Sequence, residues 1–301
     1  MADQLTIAVV GGGIAGLVAA REAAAAGATV WHLMGQDVMG GLVANVGALE
    51  NFSGGAVAGI DLATTLFTDA SEIGVEPVME DVQKIVPQGS KFTLMSEAKL
   101  VVDRVILATG ARLRKLAVTG ASEFENLGLS YCGWCDGPLH KGKPVVVVGS
   151  GDAALQEAAH LAATASHVTV LARGDAFKAR PEFVERARAT PNVTLRLAVD
   201  VIEVRGEVNV TDVRIYDRVT GSDATISCSG VFPFIGLEPS TGGLLPGIAV
   251  DDVGAVRTDA RLETSIPGLF AVGAVRSGYS GRLDDAIEEA RCAVAAALDI
   301  A

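Results

Sequence analysis

The chain has 301 residues, 50% of them apolar, a length that exceeds the needs of one comfortable core and predicts two domains. Its formal net charge of −12 disfavours nucleic acid as a partner, because the phosphate backbone attracts basic surfaces. We expect neither a signal peptide nor a membrane partner, and a cytoplasmic protein, because the first residues lack a basic segment and no apolar run reaches about 18 residues.

A glycine-rich turn follows the first predicted strand. Residues 6–10 predict a buried parallel strand, and they precede the sequence G-G-G-I-A-G and an alanine-rich helix predicted at 17–26. In this G-x-G-x-x-G pattern Gly11 permits a tight turn, Gly13 lets a pyrophosphate approach the backbone, and Gly16 lets helix and strand pack closely. The helix N-terminus supplies N–H groups for phosphates, so the pattern predicts a dinucleotide site.

The rest of this first domain reads as a mixture of helix and strand. The patterns predict a helix at 62–73 and strands at 29–34, 75–86, 91–95 and 100–108. The last of these strands ends in the small-residue turn of Ala108, Thr109 and Gly110. We expect that turn to lie beside a bound cofactor, where the chain crosses to the second domain.

A second strand–turn–helix begins at Pro144. A strand at 144–148 precedes G-S-G-D-A-A, which is G-x-G-x-x-A, and a helix at 153–165 follows. Two such units imply two nucleotides, and a flavin with a nicotinamide is the usual pair because hydride passes between them. Arg173, Lys178 and Arg180 are candidates for binding the 2′-phosphate of a nicotinamide nucleotide, with solvated surface charge as the alternative.

The sequence C-G-W-C-D-G stands before the second unit. Cys132 and Cys135 are spaced to reach disulfide geometry over one turn, where neighbouring dipoles lower a thiol pKa. A zinc site needs about four ligands, and the two other cysteines and four histidines show no second paired spacing. A redox dithiol is therefore favoured and no metal is expected. Asp136 is a candidate proton shuttle, with a helix N-cap as the alternative.

The remaining patterns predict strands and a final helix. We expect strands at 199–204, 210–216, 256–259 and 264–273 and an amphipathic helix at 284–300.

Together these motifs resemble the low-molecular-weight thioredoxin reductases over nearly the whole chain. The likeness rests on both glycine turns, C-G-W-C-D-G, Gly40-Gly41-Leu42, Glu50-Asn51-Phe52, Ala108-Thr109-Gly110 and T-S-I-P-G-L-F-A at 264–271. It implies an α/β fold of two tandem dinucleotide-binding, Rossmann-like domains, the second inserted in the first. The implied domains are a discontinuous FAD-binding domain, 1–113 and 241–301, and a NAD(P)H-binding-like domain that carries the dithiol, 114–240.

The resemblance also implies roles and partners. Cys135 would face the flavin, Cys132 would attack the substrate disulfide, and Asp136 would be the acid–base residue. The implied protein is a homodimeric, FAD-dependent disulfide oxidoreductase whose substrate is a thioredoxin-like protein or a small dithiol or disulfide. The expected FAD-binding residues are Gly11, Gly13, Ile14, Ala15, Gly16, Gly40, Gly41, Leu42, Asn51, Ala108, Thr109, Gly110, Gly273, Ala274, Asp285 and Ala286. The expected NAD(P)H-binding residues are Gly149, Gly151, Asp152, Ala153, Arg173 and Lys178.

Three short segments depart from the family pattern. Residues 172–174 read Ala-Arg-Gly where the family has His-Arg-Arg for the 2′-phosphate, residues 273–274 read Gly-Ala for Gly-Asp, and residues 284–286 read Asp-Asp-Ala for Arg-Gln-Ala. The choice between NADPH and NADH therefore stays open. Two alternatives without productive use of NADPH also stay open: a dithiol oxidase that uses oxygen, and a ferredoxin-dependent reductase.

Overall fold

The computed structural model describes residues 4–50, 52–97 and 99–299. The chain divides into two compact units. Unit 1 takes the chain up to Arg112 and again from Glu238, and unit 2 is Leu113–Leu237. None of the helices in the described ranges combines the length and the apolar character that crossing a bilayer demands.

The first part of unit 1 contains two helices, α1 (Ile14–Ala25) and α2 (Gly59–Glu72), and a 3₁₀ turn at Gly41–Asn45. Its strands are β1 (Thr6–Val10), β2 (Thr29–Leu33), β3 (Pro77–Val78), β4 (Lys84–Gln88), β5 (Lys91–Met95), β6 (Lys99–Val102) and β7 (Arg104–Leu107). The strand β8 (Ala111–Leu113) follows where the chain enters unit 2.

Unit 2 contains the helices α3 (Gly133–Asp136), α4 (Asp152–Ala162) and α5 (Pro181–Ala189), with a 3₁₀ turn at Gly137–His140. Its strands are β9 (Pro144–Val148), β10 (His167–Leu171), β11 (Val193–Arg196), β12 (Val199–Gly206), β13 (Val210–Asp217), β14 (Ser222–Ser227) and β15 (Gly230–Pro233). The chain then passes through β16 (Leu237–Pro239), β17 (Leu269–Ala271), a 3₁₀ turn at Gly273–Val275 and α6 (Leu283–Ala297).

A parallel sheet in the order β17-β7-β1-β2-β3 forms the centre of unit 1. Because side chains alternate along a strand, Ile7 and Val9 pack with the helices α1, α2 and α6, whereas Ala8 and Val10 pack with the antiparallel sheet β4-β5-β6. The sheet is covered on both faces, which explains why β1 is apolar throughout.

Unit 2 has its own parallel sheet in the order β11-β10-β9-β15. Val145 and Val147 of β9 pack with α4 and α5, and Val146 and Val148 pack with the antiparallel sheet β12-β13-β14. Each unit, taken by itself, is therefore an α/β arrangement of helices, parallel sheet and antiparallel sheet.

The single strand predicted at 100–108 is wrong, because Asp103 divides it into β6 and β7. The Asp103 carboxylate accepts hydrogen bonds from the backbone N–H of Thr6 at 2.9 Å and from its hydroxyl at 2.6 Å, and it pairs with Lys91 at 3.0 Å. These contacts turn the chain from the antiparallel sheet into the parallel one. The strand predicted at 75–86 likewise divides into β3 and β4, which lie in different sheets.

Other differences lie at element ends and in elements that the sequence patterns do not indicate. The helix α1 begins at Ile14, directly after the extended Gly13, rather than at residue 17. The segments predicted as strands at 256–259 and 264–273 contain only β17 as a full strand. The apolar face predicted for the last helix is confirmed, since Ala290 and Val294 are buried, although α6 ends at Ala297. The elements that we did not predict include α5, β8, β11, β14, β15 and β16.

Candidate functional site

Cys132 and Cys135 form a disulfide at the start of α3, with 2.07 Å between the sulfurs and 5.3 Å between the Cα atoms. Cys132 is the N-cap residue of this helix and Cys135 lies in its first turn. Across the described ranges, no group of three or more histidine, cysteine, aspartate and glutamate side chains is arranged to hold a metal ion. The disulfide places the two sulfurs where thiol–disulfide exchange can occur.

The two sulfurs have different surroundings. The Sγ of Cys132 accepts a hydrogen bond from the backbone N–H of Cys135 at 3.1 Å. The backbone N–H of Cys132 donates to Ser130 Oγ at 3.1 Å, and that hydroxyl also approaches the Cys132 carbonyl at 3.3 Å. A donor aimed at sulfur favours the charged form, so a Cys132 thiolate gains stabilisation from this turn after reduction.

The dithiol turn packs on the middle of α4. The glycines at 133 and 137 bring the backbone close, because a Cβ added at Gly137 would lie 2.9 Å from Leu161 Cδ2. The Trp134 indole stacks on the His160 imidazole, with ring centroids 3.6 Å apart, and remains 38% exposed. Helix α4, which begins at the second glycine-rich turn, therefore supports the dithiol directly.

Asp136 is half-buried at the end of α3. It occupies the N-cap position of the following 3₁₀ turn, but its side chain makes no capping hydrogen bond. The N-cap alternative therefore gains no support, and the carboxyl group is available for proton transfer. His140 lies in that 3₁₀ turn, and its pKa is lowered by burial and by Lys143, with Asp136 acting in the opposite direction.

The first glycine turn joins the ends of β1 and α1. Gly11 has φ +124°, and a Cβ there would collide with the carbonyl of Ala108. A Cβ at Gly16 would collide with the Gly11 carbonyl, whereas a Cβ at Gly13 would meet no atom within 4 Å. The turn therefore leaves open space at Gly13 while its other two glycines are packed tightly.

Several distant FAD candidates converge on this turn. The backbone N–H of Gly40 donates to the Gly12 carbonyl at 2.8 Å, and a Cβ added at Gly273 would lie 3.2 Å from the Cβ of Ala15. The strands β1, β7 and β17 are parallel neighbours, so the residues that follow them meet at one sheet edge. The residues at or beside that edge are Gly11, Gly13, Ile14, Ala15, Gly16, Gly40, Gly41, Leu42, Ala108, Thr109, Gly110, Gly273 and Ala274. Asn51 lies outside the described residues.

The fit of this edge to FAD rests on two observations. The space at Gly13 is a backbone cradle that any side chain would fill. The hydroxyl of Thr109 is buried and has no hydrogen-bond partner within the described residues, so it awaits a polar ligand group. A pyrophosphate and its ribityl chain match such a cradle, and the residues present fit the cofactor.

The start of α6 carries two acids, Asp284 and Asp285, where the family has Arg and Gln. Asp284 accepts a hydrogen bond from the Ser53 hydroxyl at 2.5 Å, and Asp285 accepts one from Ser280. Ala286 is buried in the same turn. Both carboxylates are thus engaged by hydroxyl groups.

Glu289 and Arg276 form a largely buried ion pair that the sequence analysis did not predict. Glu289 also accepts a hydrogen bond from the Gly273 backbone N–H at 2.8 Å. The side chains of Arg276 and Glu289 are 17% and 12% exposed. No sequence signal separates Glu289 from Glu288 beside it, which is exposed. This pair fixes the turn after β17, where the family's aspartate is replaced by Ala274.

The second glycine turn joins β9 to α4. Gly149 has φ +157°, a Cβ there would collide with the Phe234 carbonyl, and the position of Gly151 is open. Asp152 accepts hydrogen bonds from the backbone N–H and the Nε of Arg180 at 2.8 and 2.7 Å. The other candidates in this region, Ala153, Arg173 and Lys178, are exposed. Arg180 is thus occupied by Asp152, while Arg173 and Lys178 face solvent.

The sequence and the structure are similar to those of known disulfide oxidoreductases. Residues 5–297 match the family described as pyridine nucleotide-disulphide oxidoreductase. The thioredoxin reductase of Treponema pallidum is 36% identical over 280 residues, which are 92% of this chain and 91% of that protein. The structure of Lactococcus lactis thioredoxin reductase superposes with a TM-score of 0.94 at 28% identity, covering 99% of each chain. The T. acidophilum thioredoxin reductase gives 0.92 at 30% identity, covering 97% of each chain.

The fold, the disulfide and these comparisons define a flavin-dependent disulfide oxidoreductase, an enzyme whose cofactor is FAD. The chain belongs to the pyridine nucleotide-disulphide oxidoreductase family, and within it to the thioredoxin-reductase-like proteins.

Proposed function

We propose that this enzyme exchanges electrons between FAD and the Cys132–Cys135 disulfide and delivers them to the disulfide of a thioredoxin-like protein. The observation that carries this proposal is the disulfide itself, formed in an exposed turn whose backbone N–H faces the Cys132 sulfur. The bound flavin supplies a two-electron carrier.

The chemistry of the dithiol follows from thiol exchange. The Cys132 thiolate attacks one sulfur of the partner disulfide and forms a mixed disulfide, while the other partner sulfur leaves as a thiolate. The Cys135 thiolate then attacks Cys132, the second partner thiolate leaves, and the Cys132–Cys135 disulfide forms again. Asp136 carries one proton at a time between a thiol and a leaving thiolate.

We assign the two units as tandem dinucleotide-binding domains, with the FAD domain interrupted by the domain that carries the dithiol. The proposed FAD ligands are the residues at the sheet edge of unit 1, including Gly11, Gly13 and Thr109, together with Asp285 and Ala286. The open position at Gly13 and the unpartnered hydroxyl of Thr109 support this assignment.

A nicotinamide nucleotide is the proposed electron donor, and the second glycine turn is its proposed site. Gly151 leaves room for a pyrophosphate, and the exposed Arg173 and Lys178 are two cations for a 2′-phosphate. We further propose a cytoplasmic homodimer without a nucleic-acid or membrane partner. A dithiol that donates electrons to protein disulfides suits a reducing compartment, and the net charge of −12 disfavours nucleic acid.

An anaerobic titration of the flavin spectrum tests the donor. We expect NADPH or NADH to bleach the flavin and, with a thioredoxin present, to yield thioredoxin dithiol, whereas the Cys135→Ser variant should bleach but yield none. Bleaching by dithiols alone with peroxide formed in air would support the oxidase instead. Bleaching of the flavin by reduced ferredoxin, with no response to NADPH or NADH, would identify a ferredoxin-dependent reductase.

A further inference from the structure

Glu157 on α4 lies directly against the dithiol turn. Gly133, which follows Cys132, has no side chain, and a Cβ placed there would collide with Glu157 Oε2. Leu161, one helical turn further on, lies 3.5 Å from the same position. The carboxyl group therefore contacts the backbone between the two cysteines.

In the described part of the chain, no cationic side chain pairs with this carboxyl group. Its Oε2 is buried and has no hydrogen-bond partner within the described residues, and the nearby Gly133 backbone N–H favours the ionised form. Burial raises the pKa of Glu157 to about 7, and the Gly133 N–H opposes that rise. An unpaired carboxyl group is rarely buried without a function.

The charged groups on the surrounding described elements do not shift the pKa of Glu157 through their charge. They are Asp136 on α3, His140 in the 3₁₀ turn, Asp152 and His160 on α4, Arg180 and Arg186 beside and on α5, and His167 on β10. Of these, Asp152 binds Arg180, His160 stacks on Trp134, and His167 contacts Thr194.

An ionised Glu157 disfavours a thiolate on the dithiol turn, because the two negative charges repel each other. When a thiolate forms at Cys132, the ionised state of Glu157 becomes less favourable, and the two titrations become coupled. A proton released at sulfur is then retained at Glu157 rather than lost to water.

We propose that Glu157 takes up one of the two protons that are consumed when the Cys132–Cys135 disulfide is reduced. In the balanced step, the Glu157 carboxylate, the Cys132–Cys135 disulfide, two electrons and two protons give the Glu157 carboxylic acid, one thiolate and one thiol. The electrons come from the flavin, or from dithiothreitol in the test below. This inference rests on the proposed function only in requiring that the dithiol cycles.

The test compares the FAD-loaded wild type with Glu157→Gln, which keeps the shape and removes the ionisable group. The control is Glu185→Gln, an exposed acid on α5 that carries the same change of charge. Each protein is equilibrated without oxygen against mixtures of reduced and oxidised dithiothreitol, quenched by alkylation, and scored at Cys132 and Cys135 by peptide mass. Peptide mapping is required because Cys292 is an exposed free thiol.

The expected readout is proton stoichiometry. The quantity measured is the equilibrium constant for reduction of the enzyme disulfide by dithiothreitol. Between about pH 7.5 and pH 8.5 it stays constant for the wild type and for Glu185→Gln, because the enzyme takes up the two protons that dithiothreitol releases. For Glu157→Gln this equilibrium constant rises about tenfold over the same interval, because reduction of the variant takes up one proton instead of two. Equal slopes in all three proteins overturn the inference.

A second measurement uses the wild type alone, so it does not depend on whether a variant folds. The infrared difference spectrum of the wild type on reduction at about pH 8 should gain a carboxylic acid C=O band, because Glu157 becomes protonated. Absence of that band overturns the inference as well. If the wild-type disulfide does not exchange with dithiothreitol at all, the proposed function fails, which distinguishes the two failures.

Discussion

The Trp134 indole and the His160 imidazole stack with planes inclined by 18°, and this contact ties the dithiol turn to α4. An aromatic pair of this kind contributes about 0.5–1.5 kcal/mol beyond the area that it buries. We expect a double-mutant cycle of Trp134→Ala and His160→Ala to give a coupling energy in that range, measured by urea unfolding. Additivity within about 0.3 kcal/mol would show that the stack contributes nothing to stability.

Alanine at two glycines of the first turn should affect different properties: stability at Gly11 and FAD binding at Gly13. Gly11→Ala places a Cβ against the Ala108 carbonyl at φ +124°, so we expect a loss of about 1–3 kcal/mol in the free energy of unfolding. Gly13→Ala meets no protein atom, so the apo protein should keep its stability while FAD binding weakens about tenfold or more. Flavin content and thermal unfolding of the apo protein measure both effects. Full FAD binding by Gly13→Ala would refute the proposed cradle.

The residues that carry chemistry by motif could be found from sequence, because their spacing is local. Gly11, Gly13 and Gly16 lie on one turn, and the two cysteines bond over one turn of α3. The elements that packing decides could not be found in this way. The division at Asp103 depends on Thr6, 97 residues away, and no local pattern reports that pairing.

Buried charges were missed for the same reason. Glu157 and Glu289 look like ordinary polar positions in alanine-rich helices, and only the fold shows that each lies against a functional turn. The loop after β10 was ambiguous in sequence because Arg173, Lys178 and Arg180 are all cations. The structure separates them, since Arg180 binds Asp152.

Asp103 should make stability depend on pH in the acid range. Burial opposes ionisation of this carboxyl group, but the two hydrogen bonds from Thr6 and the pairing with Lys91 outweigh it and lower the pKa to about 2. The folded pKa lies below the unfolded value, so the stabilisation is present above about pH 4 and is lost as pH falls towards about 2.

Asp103→Asn tests this pH dependence. Since solvent screens the group in part, we expect the variant to lose about 1 kcal/mol of unfolding free energy at neutral pH and to match the wild type near pH 2. The control is Asp252→Asn, which changes an exposed acid. A difference that does not vary with pH would contradict the assignment.

The ion pair of Arg276 and Glu289 should be costly to break on one side. Glu289→Ala leaves a buried guanidinium without its partner and the Gly273 N–H without its acceptor, so we expect a loss of about 3–5 kcal/mol. Replacing both residues by leucine should cost less, because no charge remains buried. Urea unfolding compares the two, and a double variant less stable than Glu289→Ala would contradict this account.

The central claim, that Cys132 exchanges with a protein disulfide and Cys135 resolves the intermediate, is tested most directly by trapping. Cys135→Ser, reduced and mixed with an oxidised thioredoxin, should accumulate a mixed disulfide that peptide mass spectrometry locates at Cys132, whereas Cys132→Ser should accumulate none there or at Cys135. No mixed disulfide in Cys135→Ser, or one that forms at Cys135 in the Cys132→Ser variant, would contradict the account.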